Sequence, residues 1–250
     1  ADDWFNTESI PEFLDIISGA SADVVLTCHH TINISTGEIK NWRCFPDEPG
    51  REYTMEEVMG NWKNFDRSLT FHGITYRTEF YREHGVKLAE NVFYEDHEYA
   101  TYPCCVAHTI LPLGLFIYEY RIGDVSQSVS AENQLKRIDH TKMVIVKMLK
   151  NRVDITDQWA LEYCDKKIHL LLLSFMVTSM LCDPDRKKGV ARVDQLMGYI
   201  AKKDRHVVEM TMSHYKILKL LNAAHVGLEG YNRMLNSKLY NKLRHNKSFD

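Results

Sequence analysis

The feature that most constrains the fold is a change of sequence pattern near residue 130. Before it, short runs of β-branched and aromatic residues alternate with helical segments, whereas after it apolar residues recur three or four positions apart. A chain of 250 residues has room for one large domain or two small ones. The pattern therefore predicts a mixed α/β domain over residues 1–130, followed by an all-α helical domain over residues 131–250.

Within the first domain, the sequence predicts two helices and several short strands. The first helix is expected from Thr7 to Ser18, because Ser9 and Glu12 form a capping-box pattern. Its buried face should contain Ile10, Phe13, Leu14 and Ile17. A second helix is expected from His97 to Ile110. The strand candidates are Asp23 to Cys28, then Gly73 to Thr78, Val92 to Tyr94, and Leu115 to Tyr120. Ile32 and Ile34 alternate with polar residues up to the turn at residues 35–37, which predicts a hairpin with Glu38 to Trp42.

Five helices are predicted in the second domain. Ser130 is expected to cap the first, which ends at about Asn151, and Asp154 the second, which ends at about Cys182; three more should follow at roughly 188–203, 205–224 and 230–244. Asp183-Pro184-Asp185 is the expected break. The longest apolar stretch has 14 residues, and a bilayer crossing needs about 20, so it is expected to be a buried helix.

Charge is distributed unevenly between the two domains. Residues 1–130 contain 9 basic and 21 acidic side chains, and residues 131–250 contain 22 basic and 13 acidic ones. An acidic domain suits a divalent cation and a basic domain suits an anionic partner, although solvated faces are the commoner cause of such asymmetry. The six cysteines lack metal-binding spacing, so reduced thiols and a cytoplasmic location are expected.

Several enzyme classes lack support in the sequence. The motifs GxSxG, GxxxxGK[ST] and GxGxxG are absent, which argues against a serine hydrolase, a P-loop enzyme and a Rossmann dehydrogenase. The histidines, including the pair His29-His30, show no HExxH or HxH spacing, so a zinc site is not expected. Acid/base chemistry and chemistry assisted by a hard metal ion remain.

Two acidic pairs are candidates for that chemistry. Asp2-Asp3 offers hard oxygen ligands of the kind that Mg²⁺ or Mn²⁺ binds together with substrate phosphates. Glu95-Asp96 follows the apolar segment Val92 to Tyr94, and a carboxylate at a strand end can serve as a general base. For either pair taken alone, a solvated or helix-capping role is the commoner explanation.

The order of these segments resembles that of a known enzyme family. An ADDWFN start, a helix, ADVVLT, HGITYRTEFYREHGVKL, VFYEDHEY and LFIYEYRIGDVSQSVS follow one another as in the second half of the catalytic domain of family-2 glycosyltransferases, which have the GT-A fold. The resemblance covers about residues 1–130. It implies that Asp2 and Asp3 are the later acids of the family's D-x-D-D motif. The chain is then expected to be a fragment that lacks the first nucleotide-binding units.

The resemblance also implies roles for individual residues. Asp96 matches the catalytic base, and His72, Tyr76 and Glu95 fall on the acceptor side. Arg121 and Ser128, within Tyr120-Arg121 and Gln127-Ser128 of the closing stretch, fall on the donor-phosphate side with Asp2 and Asp3. A Mn²⁺ or Mg²⁺ ion on Asp2 and Asp3 would offset charge on the departing nucleoside diphosphate.

The function that the resemblance implies is inverting glycosyl transfer. A nucleotide-diphosphate sugar, with a UDP-sugar as the first choice, would donate its sugar to a hydroxyl of a glycan or lipid-linked acceptor in bacterial surface polysaccharide synthesis. No nucleic-acid partner is expected. The alternatives are a non-catalytic helical assembly module and, less favoured, a metal-dependent phosphohydrolase, for which closely spaced ligands are too few.

The segment from Tyr231 to Lys247 is basic and amphipathic, with five Lys or Arg residues, no acid, and Leu235, Leu239 and Leu243 on one face. Such a helix can lie on an anionic membrane, here the inner face of the cell membrane. The alternative is that the leucines pack against the other helices.

Overall fold

The computed structural model describes residues 2–44, 46–48, 50–85, 87–123 and 130–237. The chain divides into two compact units. The first contains Ala1–Ser128 and Met143–Ile168, and the second contains Val129–Lys142 and His169–Asp250. The sequence pattern assigned residues 143–168 to the helical domain, whereas their contacts place them in the unit that contains the sheet. An α/β region followed by a helical region is confirmed.

A mixed five-stranded sheet forms the centre of the first unit. Its strands are β1 (Trp4–Phe5), β2 (Val24–Asn33), β3 (Ile39–Trp42), β4 (Ile74–Tyr76) and β5 (Ile110–Ile122). The order is β1-β5-β2-β3, and β4 pairs with the beginning of β2. Strands β2 and β5 are parallel, and the other pairs are antiparallel. The predicted hairpin is therefore confirmed as β2 and β3.

Six short helices accompany the sheet: α1 (Ile10–Gly19), α2 (Met55–Gly60), α3 (Trp62–Phe65), α4 (Thr78–His84), α5 (Asp96–Tyr99) and α6 (Tyr102–Val106). Helix α1 packs Phe13 into a cluster with Val25 and Leu111. The prediction that Leu14 is buried was wrong, because its side chain is 53% exposed and Ile16 packs against the cluster in its place. Ser9 occupies the N-cap position, but its side chain makes no capping hydrogen bond.

The region between residues 91 and 110 differs from the sequence prediction. Val92 to Tyr94 is not a strand, since Asn91 and Tyr94 have left-handed backbone angles, with φ of 59° and 74°. The expected helix from His97 to Ile110 is also interrupted. It is divided into α5 and α6, with Pro103 in the first turn of α6, because proline has no backbone N–H to continue the hydrogen bonding of α5. Ile110 already belongs to β5.

The C-terminal region contains α7 (Ala131–Lys136), α8 (Ile138–Arg152), α9 (Gln158–Val177), a π-helical turn (Thr178–Cys182), α10 (Arg186–Ala201), α11 (Arg205–Ala223) and α12 (Leu228–Leu235). The Ser130 side chain accepts from the Asn133 N–H, as predicted for a cap. Helix α9 starts after Asp157 rather than Asp154, because the Asp157 carboxylate accepts hydrogen bonds from the backbone N–H groups of Trp159 and Ala160 in the first turn. The break at residues 183–185 is confirmed.

The π-helical turn lies against α10 and α11 within the second unit. Arg186 and Asn222 donate to the Met180 carbonyl at 3.1 and 2.6 Å. These side chains satisfy a carbonyl at the end of the helix that has no intrahelical donor, since residue 184 is proline and has no N–H. Close approach is possible because residue 189 is glycine: a Cβ there would lie 2.0 Å from the Ser179 carbonyl oxygen.

All six cysteines are free thiols, and the sulfurs of Cys28 and Cys44 lie 3.8 Å apart. Within the described residues, no helix combines the length and the apolar character that a membrane crossing requires. Most of the predicted basic helix, from Lys238 to Lys247, lies outside the described residues, and only its beginning belongs to α12.

Candidate active site

Asp3 is held at the carboxyl end of β5. Strand β1 runs antiparallel to β5, with Trp4 opposite Glu119, so the residue before β1 reaches the last part of β5. The Tyr118 hydroxyl donates to Asp3 Oδ2 at 2.7 Å, and the Arg121 backbone N–H donates to Asp3 Oδ1 at 2.9 Å. Each carboxylate oxygen retains lone-pair capacity for a cation. The sheet therefore fixes the orientation of this candidate metal ligand.

The carboxylates of Asp2 and Asp3 fit only one kind of metal site. Among the residues that the structure describes, no group of three or more His, Cys, Asp and Glu side chains is arranged to hold a metal ion. Mg²⁺ is commonly bound by one or two carboxylates together with substrate phosphates. The Asp2-Asp3 pair thus suits a cation shared with a phosphate-bearing ligand, and does not suit a site built from protein ligands alone.

The Tyr120 hydroxyl is close enough to residues of both acidic pairs for their charges to affect its pKa. Tyr118 and Tyr120 lie two residues apart on β5 and so share a face of the sheet. Burial raises the pKa of the Tyr120 hydroxyl, and the charges of Asp3, Asp96 and Asp2 raise it further. Carboxylates more than 90 positions apart in sequence therefore both raise the pKa of the Tyr120 hydroxyl through their charge. The fold brings the candidate metal ligands and the candidate base into one neighbourhood.

Asp96 begins helix α5 directly after a strained turn. Tyr94 has φ of 74°, and a bulky residue with positive φ is uncommon and costly. Burial raises the pKa of the Asp96 carboxyl, while the backbone N–H groups at the helix start and the charge of Lys167 act in the opposite direction. Glu95 occupies the N-cap position of α5, but its side chain makes no capping bond. A carboxylate with a raised pKa is suited to accept a proton.

His72 lies beside Tyr120 and is neutral. Its ring is 4.2 Å from that of Tyr120 and stacks at 5.0 Å on His29. Burial lowers the pKa of His72 to about 4, and burial together with neighbouring imidazoles lowers the pKa of His29 to about 3. His72 Nδ1 is 3.5 Å from the Thr70 hydroxyl, and its buried Nε2 has no partner in the described part of the chain.

The Tyr76 hydroxyl is hydrogen-bonded within the protein, so only the ring of this residue is available to a ligand. The hydroxyl donates to the Tyr99 carbonyl at 2.7 Å and lies 3.2 Å from Cys104 Sγ. Burial raises the pKa of this phenol well above its ordinary value. Its hydroxyl is therefore engaged in the fold. Gln127 and Ser128 of the closing stretch lie outside the described residues.

Sequence reasoning missed a buried cation near Asp96. The Lys167 ammonium, on helix α9, donates to the Leu69 carbonyl at 2.7 Å. Burial lowers the pKa of Lys167, while Cys104 and Asp96 act to raise it. No sequence signal distinguishes this lysine, since most helical lysines face water.

A second missed feature lies on the opposite face of β5. His30 on β2 pairs with Glu119, with 2.9 Å between Nδ1 and Oε1. The pair is not visible in the sequence, because it depends on the register of two strands that are far apart in the chain.

No protein-family model and no curated protein matches this chain.

Proposed function

We propose that this chain provides the metal and acceptor side of an inverting glycosyltransferase with the GT-A fold. The observation that carries the proposal is the Asp3 carboxylate that Tyr118 and the Arg121 N–H hold at the end of β5. It is supported by the raised pKa of Tyr120, to which the charges of Asp3, Asp96 and Asp2 all contribute. A glycosyl transfer of this kind needs carboxylates that hold a metal ion for the nucleoside diphosphate, and a separate carboxylate as the base. The two acidic pairs fit that division, and the order of segments in the first unit supports it.

Asp96 is the general base in this proposal. It accepts the proton of an acceptor hydroxyl while that oxygen attacks the anomeric carbon. The bond between the anomeric carbon and the nucleoside diphosphate breaks, and the configuration at the carbon is inverted. Burial strengthens the Asp96 carboxylate as a base, and the nearby Lys167 charge favours its ionised form before reaction.

Asp2 and Asp3 would hold the metal ion together with the donor phosphates. A bound Mn²⁺ or Mg²⁺ supplies charge stabilisation for the leaving diphosphate. Tyr118 and the Arg121 backbone keep the Asp3 carboxylate in a fixed orientation for this task. The donor is proposed to be a UDP-sugar and the acceptor a glycan or a lipid-linked saccharide of bacterial surface polysaccharide synthesis. This reaction would take place in the cytoplasm, with peripheral contact to the membrane.

The test is calorimetric titration of the protein with UDP-sugars, with and without Mn²⁺, combined with a transfer assay. We expect metal-dependent donor binding. Asp96→Asn should reduce transfer by about 10²- to 10⁴-fold and leave donor binding largely intact. Asp15→Asn, the same change at an exposed position on α1, is the matched control and should leave both unchanged.

Three results would contradict the proposal. Undiminished turnover by Asp96→Asn would remove Asp96 from the role of base. Absence of any metal-dependent nucleotide-sugar binding would favour the helical assembly module. Metal-dependent release of phosphate to water, with no sugar acceptor required, would favour a phosphohydrolase.

A further inference from the structure

A pocket of about 480 Å³ opens in the first unit beside the candidate active site. Its first wall is formed by Phe5, Phe71, His72 and Tyr118. The rings of Phe5 and Phe71 both meet Tyr118 edge-on, at centroid distances of 5.9 and 6.2 Å. Because the Tyr118 hydroxyl also donates to Asp3, a ligand against this wall lies next to the acidic pair.

The second wall is formed by Tyr76, Tyr81 and Tyr99. The Tyr81 ring lies 5.2 Å from that of Tyr76 and 5.8 Å from that of Tyr99. The hydroxyls of Tyr76 and Tyr99 donate to backbone carbonyls, so these two residues line the pocket mainly through their rings. The Tyr81 hydroxyl makes no hydrogen bond with the described residues and is available to a ligand.

Arg82 adds a positive charge to the pocket. It is exposed, it lines the pocket, and it forms no ion pair with any residue that the structure describes. The acids on the same helix do not pair with it either: Glu83 lies 3.8 Å from His84, and Glu79 has no ion pair in the described ranges. The guanidinium is therefore available for an anionic group.

The chemistry of the pocket matches a sugar ring that carries one negative charge. Aromatic faces are electron-rich and attract the weakly positive C–H groups that line the faces of a pyranose. A guanidinium forms two parallel hydrogen bonds with a planar carboxylate. The same guanidinium can pair with a phosphate, but a phosphate carries a charge of about −1.5 to −2, and Arg82 is the one Lys or Arg among the described residues that line the pocket.

We propose that this pocket binds a hexuronic acid residue, with the pyranose ring against the aromatic lining and the carboxylate on Arg82. The statement that this residue belongs to the acceptor glycan rests on the proposed function. The binding itself does not, because it requires neither a donor nor a metal ion.

The experiment is a titration of the 250-residue chain, followed by NMR, with methyl glucuronide, methyl glucoside, glucose 6-phosphate and inorganic phosphate. We expect the glucuronide to bind about tenfold more tightly than the neutral glucoside, as a charge-assisted contact would give. Arg82→Gln should remove that preference and leave glucoside binding unchanged. Tyr81→Leu should weaken both sugars. Arg205→Gln, which changes an exposed arginine on α11, is the control and should change nothing.

Equal affinity for glucuronide and glucoside, or a preference that survives Arg82→Gln, would overturn the proposal. So would binding of inorganic phosphate as tight as that of the glucuronide, or tighter binding of glucose 6-phosphate. Failure here and failure of the proposed function are distinguishable. If the protein transfers sugar through Asp96 but binds no glucuronide, only the pocket proposal is refuted. If it binds glucuronide but Asp96→Asn remains fully active, only the proposed reaction is refuted.

Discussion

Replacing Gly189 by alanine should destabilise the second unit. The added Cβ would lie 2.0 Å from the Ser179 carbonyl oxygen, whereas real Cβ atoms essentially never come closer than 3.0 Å. The backbone of α10 and the π-helical turn would have to move apart by about 1 Å. That movement would also stretch the hydrogen bonds from Arg186 and Asn222 to the Met180 carbonyl.

The size of the effect follows from opposing contributions. Overpacking costs about 1–3 kcal/mol, and each weakened hydrogen bond costs up to about 1 kcal/mol. Alanine gains about 1 kcal/mol over glycine inside a helix. These contributions span about 0–4 kcal/mol, and we expect the free energy of unfolding to fall by about 2 kcal/mol.

Gly198 on the same helix provides a matched control. A Cβ at this exposed position meets no atom within 4 Å, so Gly198→Ala should stabilise the protein by about 0.5–1 kcal/mol. Urea unfolding of both variants, followed by far-UV circular dichroism, measures the difference. If Gly189→Ala is as stable as Gly198→Ala, the close approach of α10 to the π-helical turn is refuted.

Two further predictions concern buried titratable side chains in the first unit. His29 and His72 are neutral in the folded protein, with pKa values of about 3 and about 4, so they take up protons on unfolding below about pH 6.5. Stability should therefore fall as pH is lowered, by up to about 1.4 kcal/mol per pH unit for each histidine, and urea titrations of His29→Gln at about pH 7 and about pH 5 should show a shallower fall. Glu98→Gln should lower the melting temperature, because this fully buried carboxylate pairs with Lys147 at 2.6 Å and a broken buried pair costs about 3–5 kcal/mol at most. The exposed Glu132→Gln should change stability by less than about 0.5 kcal/mol, and equal losses in the two variants would contradict the assigned burial.

The helical region was predictable because its signals are local. Helix periodicity, the Ser130 cap and the break at residues 183–185 each depend on neighbours in sequence, and the structure confirms them. The single helix expected from Ser130 to about Asn151 was wrong, because Arg137 leaves helical geometry and separates α7 from α8. The cap assigned to Asp154 was wrong by three positions, because an Asp at either position satisfies the same local rule. The sequence also contained no sign of the π-helical turn, which depends on contacts from Arg186 and Asn222.

The irregular region before Asp96 was not predictable from composition. Val92 to Tyr94 has the residue types of a strand, yet Tyr94 adopts positive φ, and none of the five strands includes this segment. Leu14 fits the helical period as well as Ile16 does, and only the position of the cluster around Val25 decides between them. In both cases tertiary contacts override a local preference.

The candidate site depends on strand register more than on any single motif. In the pairing of β2 with β5, His29 lies opposite Tyr118 and His30 opposite Glu119. The His30–Glu119 pair occupies one face of the sheet, so Tyr118 and Tyr120 must lie on the other face, where they contact Asp3 and His72. A slip of one residue in β5 would exchange the faces, placing Glu119 beside Asp3 and directing the two tyrosines away from it. The His30–Glu119 pair therefore favours the alignment of β2 and β5 that places Tyr118 and Tyr120 beside Asp3 and His72.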